Sequence, residues 1–143
     1  MAGKVHAMHG RDHRPNGSDP LLPVVFEIKV ASDTGVMAVG DSQFVFAIAS
    51  ELNGLNLTKA AAYVTTVSTS GTVAVQIRNV TQTADMLTTK LTIDANEFTS
   101  YTAGTAFVVD QANDDVATGD LIAIDVDSVG TGSKGLGVTL GFG

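Results

Sequence analysis

A chain of 143 residues, 44% hydrophobic and 16% charged, is long enough for one domain and too apolar for disorder. It has no cysteine, which excludes a disulfide framework and thiolate metal centres, and its net charge of −7 argues against binding a phosphate backbone, which draws on clustered Lys and Arg. Apolar runs stay well short of the roughly 18 to 20 residues of a membrane span, so neither nucleic acid nor a membrane is an expected partner.

All three histidines, His6, His9 and His13, fall in the opening stretch HAMHGRDHRPNGSDPLLP (6–23), where a secretory signal would carry its apolar segment. Synthesis in the cytoplasm is therefore the expectation. Pro20 and Pro23 fix their own φ and push the residues before them out of the helical region, which predicts an extended or turning segment and a boundary near Asp19–Pro23. Residues 1–23 are read as an extended N-terminal arm and 24–143 as the folded domain. Lys4, Arg11 and Arg14 against Asp12 and Asp19 make the start of the chain slightly basic, while residues 21–143 hold five basic and thirteen acidic groups.

From Val24 the pattern has period two. Val24, Phe26, Ile28 and Val30 alternate with Val25, Glu27 and Lys29, and Phe44, Phe46 and Ile48 alternate with Gln43, Val45 and Ala47, as half-buried strands require. A Thr- and Ala-rich strand over Leu57–Val67, the turn 68–71, and Val73, Val75 and Ile77 facing inward with Gln76 and Arg78 outward read as a hairpin. Further strands are predicted at Lys90–Ile93, Ala106–Val109, Leu121–Asp127 and Gly135–Phe142. A single helical turn is predicted at Ala95–Phe98, with Asp94 as its cap. In the last strand Gly135, Gly137 and Gly141 share one face, which predicts close approach by another backbone or sheet, within the chain or across a subunit boundary. About eight strands, turn signals and no amphipathic helix predict an all-β, antiparallel β-sandwich of jelly-roll-like form.

Candidate chemistry is sparse. His6, His9 and His13 stand at i, i+3 and i+7, the spacing of one helical face, and imidazole suits zinc, nickel or iron. Gly10 and Pro15 disfavour a helix there, so the three are read as loop histidines hydrogen-bonding a partner surface. His9 and His13 are the candidate ligands should a metal be held, for instance around the axis of a symmetric trimer; no cofactor is expected. The loop from Asp110 to Asp120, with Asp114 and Asp115, offers oxygens in the style of a calcium site but not in EF-hand order, and is read as a solvated acidic loop. Asp125 and Asp127, two apart on one strand face, are expected to face water. Nucleophile elbows and phosphate-binding glycine loops are missing from the sequence, and the histidines lie outside the domain, so no enzyme is expected. A carbohydrate-binding module would want exposed aromatic platforms, for which the chain offers no Trp, only Tyr63 and Tyr101, and six Phe at mostly inward positions.

The segment HGRDHRPNGSDPL (9–21) resembles the HxxxHxxGGxDPL segment near the start of many tailed-bacteriophage virion proteins, particularly minor tail and tail-fibre proteins of siphoviruses. Asn16 stands where the first glycine of that segment is usual, and asparagine also tolerates the left-handed conformation. The body is similar to the small β-sandwich domains that accompany the motif, in the stretch 61–78, in LTIDANEFTS (91–100), in ATGDLIAIDVDSVG (117–130) and in the closing KGLGVTLGF (134–142). The resemblance implies a non-enzymatic virion protein assembled in the host cytoplasm, with other virion proteins as partners and a homo-oligomer, a trimer foremost, as its state. On that reading the arm attaches the domain to the particle. His9, His13, Arg14 and Asp19 supply directional contacts, Asn16 and Gly17 make a turn, and Pro20 stiffens the exit. Two placements follow: a tail or baseplate accessory domain, or a capsid decoration protein clamping neighbouring capsomers of the major capsid protein; a carbohydrate- or host-receptor-binding module is the alternative function.

Overall fold

The alternation that begins at Val24 becomes an edge strand in the computed structural model, which describes residues 23–143. The strands among the described residues are β1 (Val24–Lys29), β2 (Gly40–Ala47), β3 (Leu57–Tyr63), β4 (Val73–Asn79), β5 (Ala84–Asp85), β6 (Leu87–Thr89), β7 (Leu91–Ile93), β8 (Val108–Val109), β9 (Leu121–Val129) and β10 (Gly137–Phe142). They form a sheet ordered β1-β10-β3 and a second ordered β2-β9-β4, in which β5 and β7 both pair with β4; β6 and β8 make a separate ribbon. Every pairing is antiparallel. The first strand pairs with the last and the second with the last but one. That winding is the order of a jelly roll, the all-β antiparallel sandwich that the sequence predicts.

The core lies between the inner faces. Val138, Leu140 and Phe142 of β10 and Ala60 and Ala62 of β3 meet Val75 and Ile77 of β4 and Ile122, Ile124 and Val126 of β9, all buried. Each fully buried branched or aromatic side chain contributes about 1.5 to 3 kcal/mol. On the side where β1 and β2 are both edge strands, Phe26 closes the seam. Its ring stacks on Phe142 with centroids 6.0 Å apart and meets Phe46 edge-on at 5.4 Å. Such aromatic pairs add about 0.5 to 1.5 kcal/mol beyond their burial.

Three expectations are corrected. β3 and β4 are not a hairpin; they belong to opposite sheets. Both strands carry an apolar inner face, and an arch over Val64–Thr72 lets those faces meet across the core. Val64 donates its N–H to Phe98 (2.8 Å) and Thr65 to Lys134 (2.9 Å). The hydroxyl of Ser68, 1% exposed, lies 2.7 Å from Ser70 O and accepts the N–H of Thr131 at 3.0 Å. The helical turn at Ala95–Phe98 is instead a tight turn with Asn96 at φ 66°, closed by Glu97 N–H to Asp94 O at 3.1 Å. Asp94 does not cap it, because its carboxylate accepts Gly104 N–H at 2.9 Å. The predicted strand at Ala106–Val109 shortens to β8, paired with β6.

Candidate functional site

The residues that the sequence singles out for partner contact, His6, His9, His13, Arg14, Asn16, Gly17, Asp19 and Pro20, lie outside the described residues, as does the candidate metal pair His9 and His13. What is described is the point at which they join the body. A Cβ placed on Gly143 would stand 3.5 Å from that of Pro23, and Val24 pairs with Phe142. Gly143 and Asn56 exchange backbone hydrogen bonds at 2.9 and 3.0 Å, and Leu57 donates to Asp114 O at 2.8 Å. The chain thus joins the sandwich at one pole, on an edge strand, beside the end of β10 and the 113–115 loop.

Next to that pole, the outer face of the β1-β10-β3 sheet carries a groove of about 370 Å³ lined by Val25, residues 58–61, Tyr101, Phe107 and Thr139. Register explains its shape. Val25, Gly141 and Lys59 form one cross-strand row, Glu27, Thr139 and Ala61 the next, and Lys29, Gly137 and Tyr63 the third. Small side chains in the middle strand and at Ala61, 6% exposed, make a floor between taller rows. The rim is built by a 3-10 turn, Ser100–Thr102, held against β3 by a hydrogen bond from Ala62 N–H to the Ser100 hydroxyl at 2.9 Å and by the Tyr63–Thr99 bridge. Tyr101 stands on this turn, 80% exposed.

The glycine face predicted to admit a neighbour is occupied from within the chain. Tyr63 covers Gly137, and Lys59 and Val25 flank Gly141. Tyr63 is also overlain by the Lys29 ammonium, 5.3 Å from the ring centroid. Of the two tyrosines weighed as platforms, Tyr101 is exposed at the groove and Tyr63 is engaged in packing.

The carboxylates divide in a way the sequence does not show. Asp125 is 4% exposed and does not face water: its carboxylate accepts Arg78 Nε at 2.6 Å and a terminal guanidinium N–H at 3.0 Å, together with Ser42 N–H at 2.7 Å. Ser42 reaches it because β2 bulges between Gly40 and Phe44, placing Ser42 at φ 54°. Burial alone would raise the Asp125 pKa, but the Arg78 hydrogen bond, the Ser42 N–H and the guanidinium charge outweigh it, and the pKa lies below the usual carboxylate value. Asp127 pairs with Lys90 at 2.7 Å. In the acidic loop, Asp120 is also buried; its Oδ2 accepts Asn79 Nδ2 and Gln82 Nε2, both at 2.9 Å, and Ala117 N–H at 3.1 Å. The Asn79 bond is the main cause of its lowered pKa, working against burial with help from Ala117 and Gln82. Asp110 accepts Ala112 N–H and the Asn113 amide, a local Asx turn. Asp110 and Asp120 are therefore engaged by backbone N–H groups and side-chain amides, while Asp114 is half-buried and Asp115 is exposed. Among the described residues no group of three or more His, Asp or Glu side chains is placed to hold a metal ion.

No protein-family model matches the chain, and neither the curated proteins nor the solved structures contain a match.

Proposed function

We propose that the protein is a non-enzymatic structural component of a tailed-phage virion, a tail or baseplate accessory sandwich anchored to the particle by its N-terminal arm and working as a homotrimer. The observation that carries this reading is the HGRDHRPNGSDPL motif (9–21) running directly into β1 of a jelly-roll body. A stretch of this size buries no core of its own, so ordering it costs conformational entropy that contacts with a partner must offset. The point of departure supports the same reading. Pro23 leaves the body from an edge strand at one pole, which lets the arm reach a neighbour without disturbing the core between the sheets.

Capsid decoration is the second reading. It is favoured by the described residues forming one compact sandwich, without a coiled-coil or fibrous shaft. Gold-labelled antibody against the body, imaged on intact particles by electron microscopy, separates the two. Label on the tail or baseplate supports the first reading, label over the shell replaces it with the second, and particles without label refute both.

A further inference from the structure

The groove beside Tyr101 has a lining whose charge is unusual for this molecule. The body holds thirteen acidic and five basic groups, yet Lys59 is the charged side chain of the groove, and no carboxylate lines it. Three of the other cations are held by carboxylates: Lys29 by Asp33 at 2.6 Å, Arg78 by Asp125 and Lys90 by Asp127. Among the described residues Lys59 has no carboxylate partner. Beside it the groove offers the Thr139 hydroxyl and the Tyr101 phenol as donors, whereas the Thr58 hydroxyl already donates to Gly141 O at 3.3 Å. The remaining surface is apolar: Val25, Ala61, Phe107 and the face of the Tyr101 ring.

A ligand suited to this lining has an apolar flat face to lie on tyrosine, several acceptors, and one negative charge. A pyranose ring bearing a carboxylate has all three. We propose that the groove binds a carboxylated sugar of the uronic acid type, with its ring on Tyr101 and its carboxylate on the Lys59 ammonium. The size agrees, since about 370 Å³ falls at the small end of ligand sites and admits a short stretch of glycan. Register fixes the orientation. Glu27 lies on the same face but on β1, two strands away from Lys59 and one row along, so about 12 Å separates their backbones. The sugar carboxylate therefore sits in the Val25–Lys59 row, away from Glu27. The rim turn is already pinned by Ser100 and Thr99, so little ordering entropy is lost on binding. As a contact with host-surface glycan this inference rests on the virion reading; as a binding site it stands on the folded body alone.

The test is a titration of the isotope-labelled full chain with methyl glucuronide and, separately, methyl glucoside, followed by amide shifts. The expected result is saturable movement at Lys59, Ala61, Tyr101 and Thr139, with the neutral sugar binding at least about fivefold more weakly. Lys59→Gln should remove the preference for the charged sugar, Tyr101→Ala should weaken both sugars by about tenfold, and Lys134→Gln should change neither. Tyr101 is so exposed that its loss leaves the core intact. Absence of saturable movement with either sugar at about 20 mM, well above millimolar affinity, equal binding of both, or binding that emerges only after residues 1–22 are removed overturns the proposal. So does saturation of the groove by an acidic peptide under conditions where neither sugar binds. None of these outcomes alters where antibody labels the particle, so the failure of the groove and the failure of the virion reading are told apart.

Discussion

Tyr63 lies directly on the backbone of Gly137, its cross-strand partner: a methyl group at that glycine would stand 2.2 Å from two carbons of the ring. The tyrosine thus fills space that the missing side chain leaves on the sheet surface, as aromatic residues do opposite strand glycines.

Gly137→Ala should therefore destabilise the protein by about 1 to 3 kcal/mol through overpacking. Tyr63→Ala removes the obstacle, so the double variant should lose less than the sum of the two single changes, a coupling measurable by thermal or urea melts. Additive losses would show that the ring and the glycine do not share that space.

Arg78 and Asp125 give a second prediction. Removing one member of a buried pair leaves the other uncompensated, at a cost of about 3 to 5 kcal/mol in fully buried cases and less here because Arg78 is partly solvated. Arg78→Met should lower stability by about 2 kcal/mol, within the range of large single-site effects. The folded-state pKa of Asp125 is depressed below its unfolded value, so its contribution is complete above the unfolded value near 4 and is lost as the pH falls through the folded one. In Arg78→Met this part of the acid dependence should shrink. An unchanged acid profile would show that the pair does not report on folding.

The acidic loop separates two kinds of aspartate. All three donors to Asp120 converge on one oxygen, and Asn79 among them is buried, so Asp120→Ala strands the Asn79 amide at a cost of about 1 to 3 kcal/mol. Asp120→Asn can keep a carbonyl in the same place and should lose less. Asp114→Asn and Asp115→Asn should stay within about 0.5 kcal/mol, as surface changes usually do. A rise in melting temperature on adding calcium, abolished by those two changes, would instead mark the loop as an ion site.

Period two in the sequence identified β1, β4, β9 and β10 and the inward sets Val73, Val75, Ile77 and Leu136, Val138, Leu140, Phe142, because burial on one face of a strand leaves a local trace. The same trace is silent on which sheet a strand joins. That is why the arch at Ser68 reads as a hairpin, and why Gln76, an outward position, is buried under Leu87 by two hydrogen bonds. Asp125 looks like a solvated acid because Ser42 and Arg78, which cover it, come from the bulge in β2 and from β4. The groove is equally hidden: Val25, Lys59, Tyr101 and Thr139 are scattered over the chain and meet only through register. The sequence offers Tyr63 and Tyr101 alike as aromatic platforms, and only the fold separates the exposed Tyr101 from Tyr63, which packs on Gly137.

Attachment through the arm is tested by deleting residues 1–22. Among the described residues the strands begin at Val24 and pack around a core of their own, so the shortened chain should melt within about 0.5 kcal/mol of the full one. Phage propagated with only the shortened gene should yield purified particles that lack the protein, while the soluble domain remains folded in the lysate. The double change of His9 and His13 to Ala should reduce the amount on particles in the same assay. Particles carrying the shortened protein at full occupancy would show that the arm does not attach the domain.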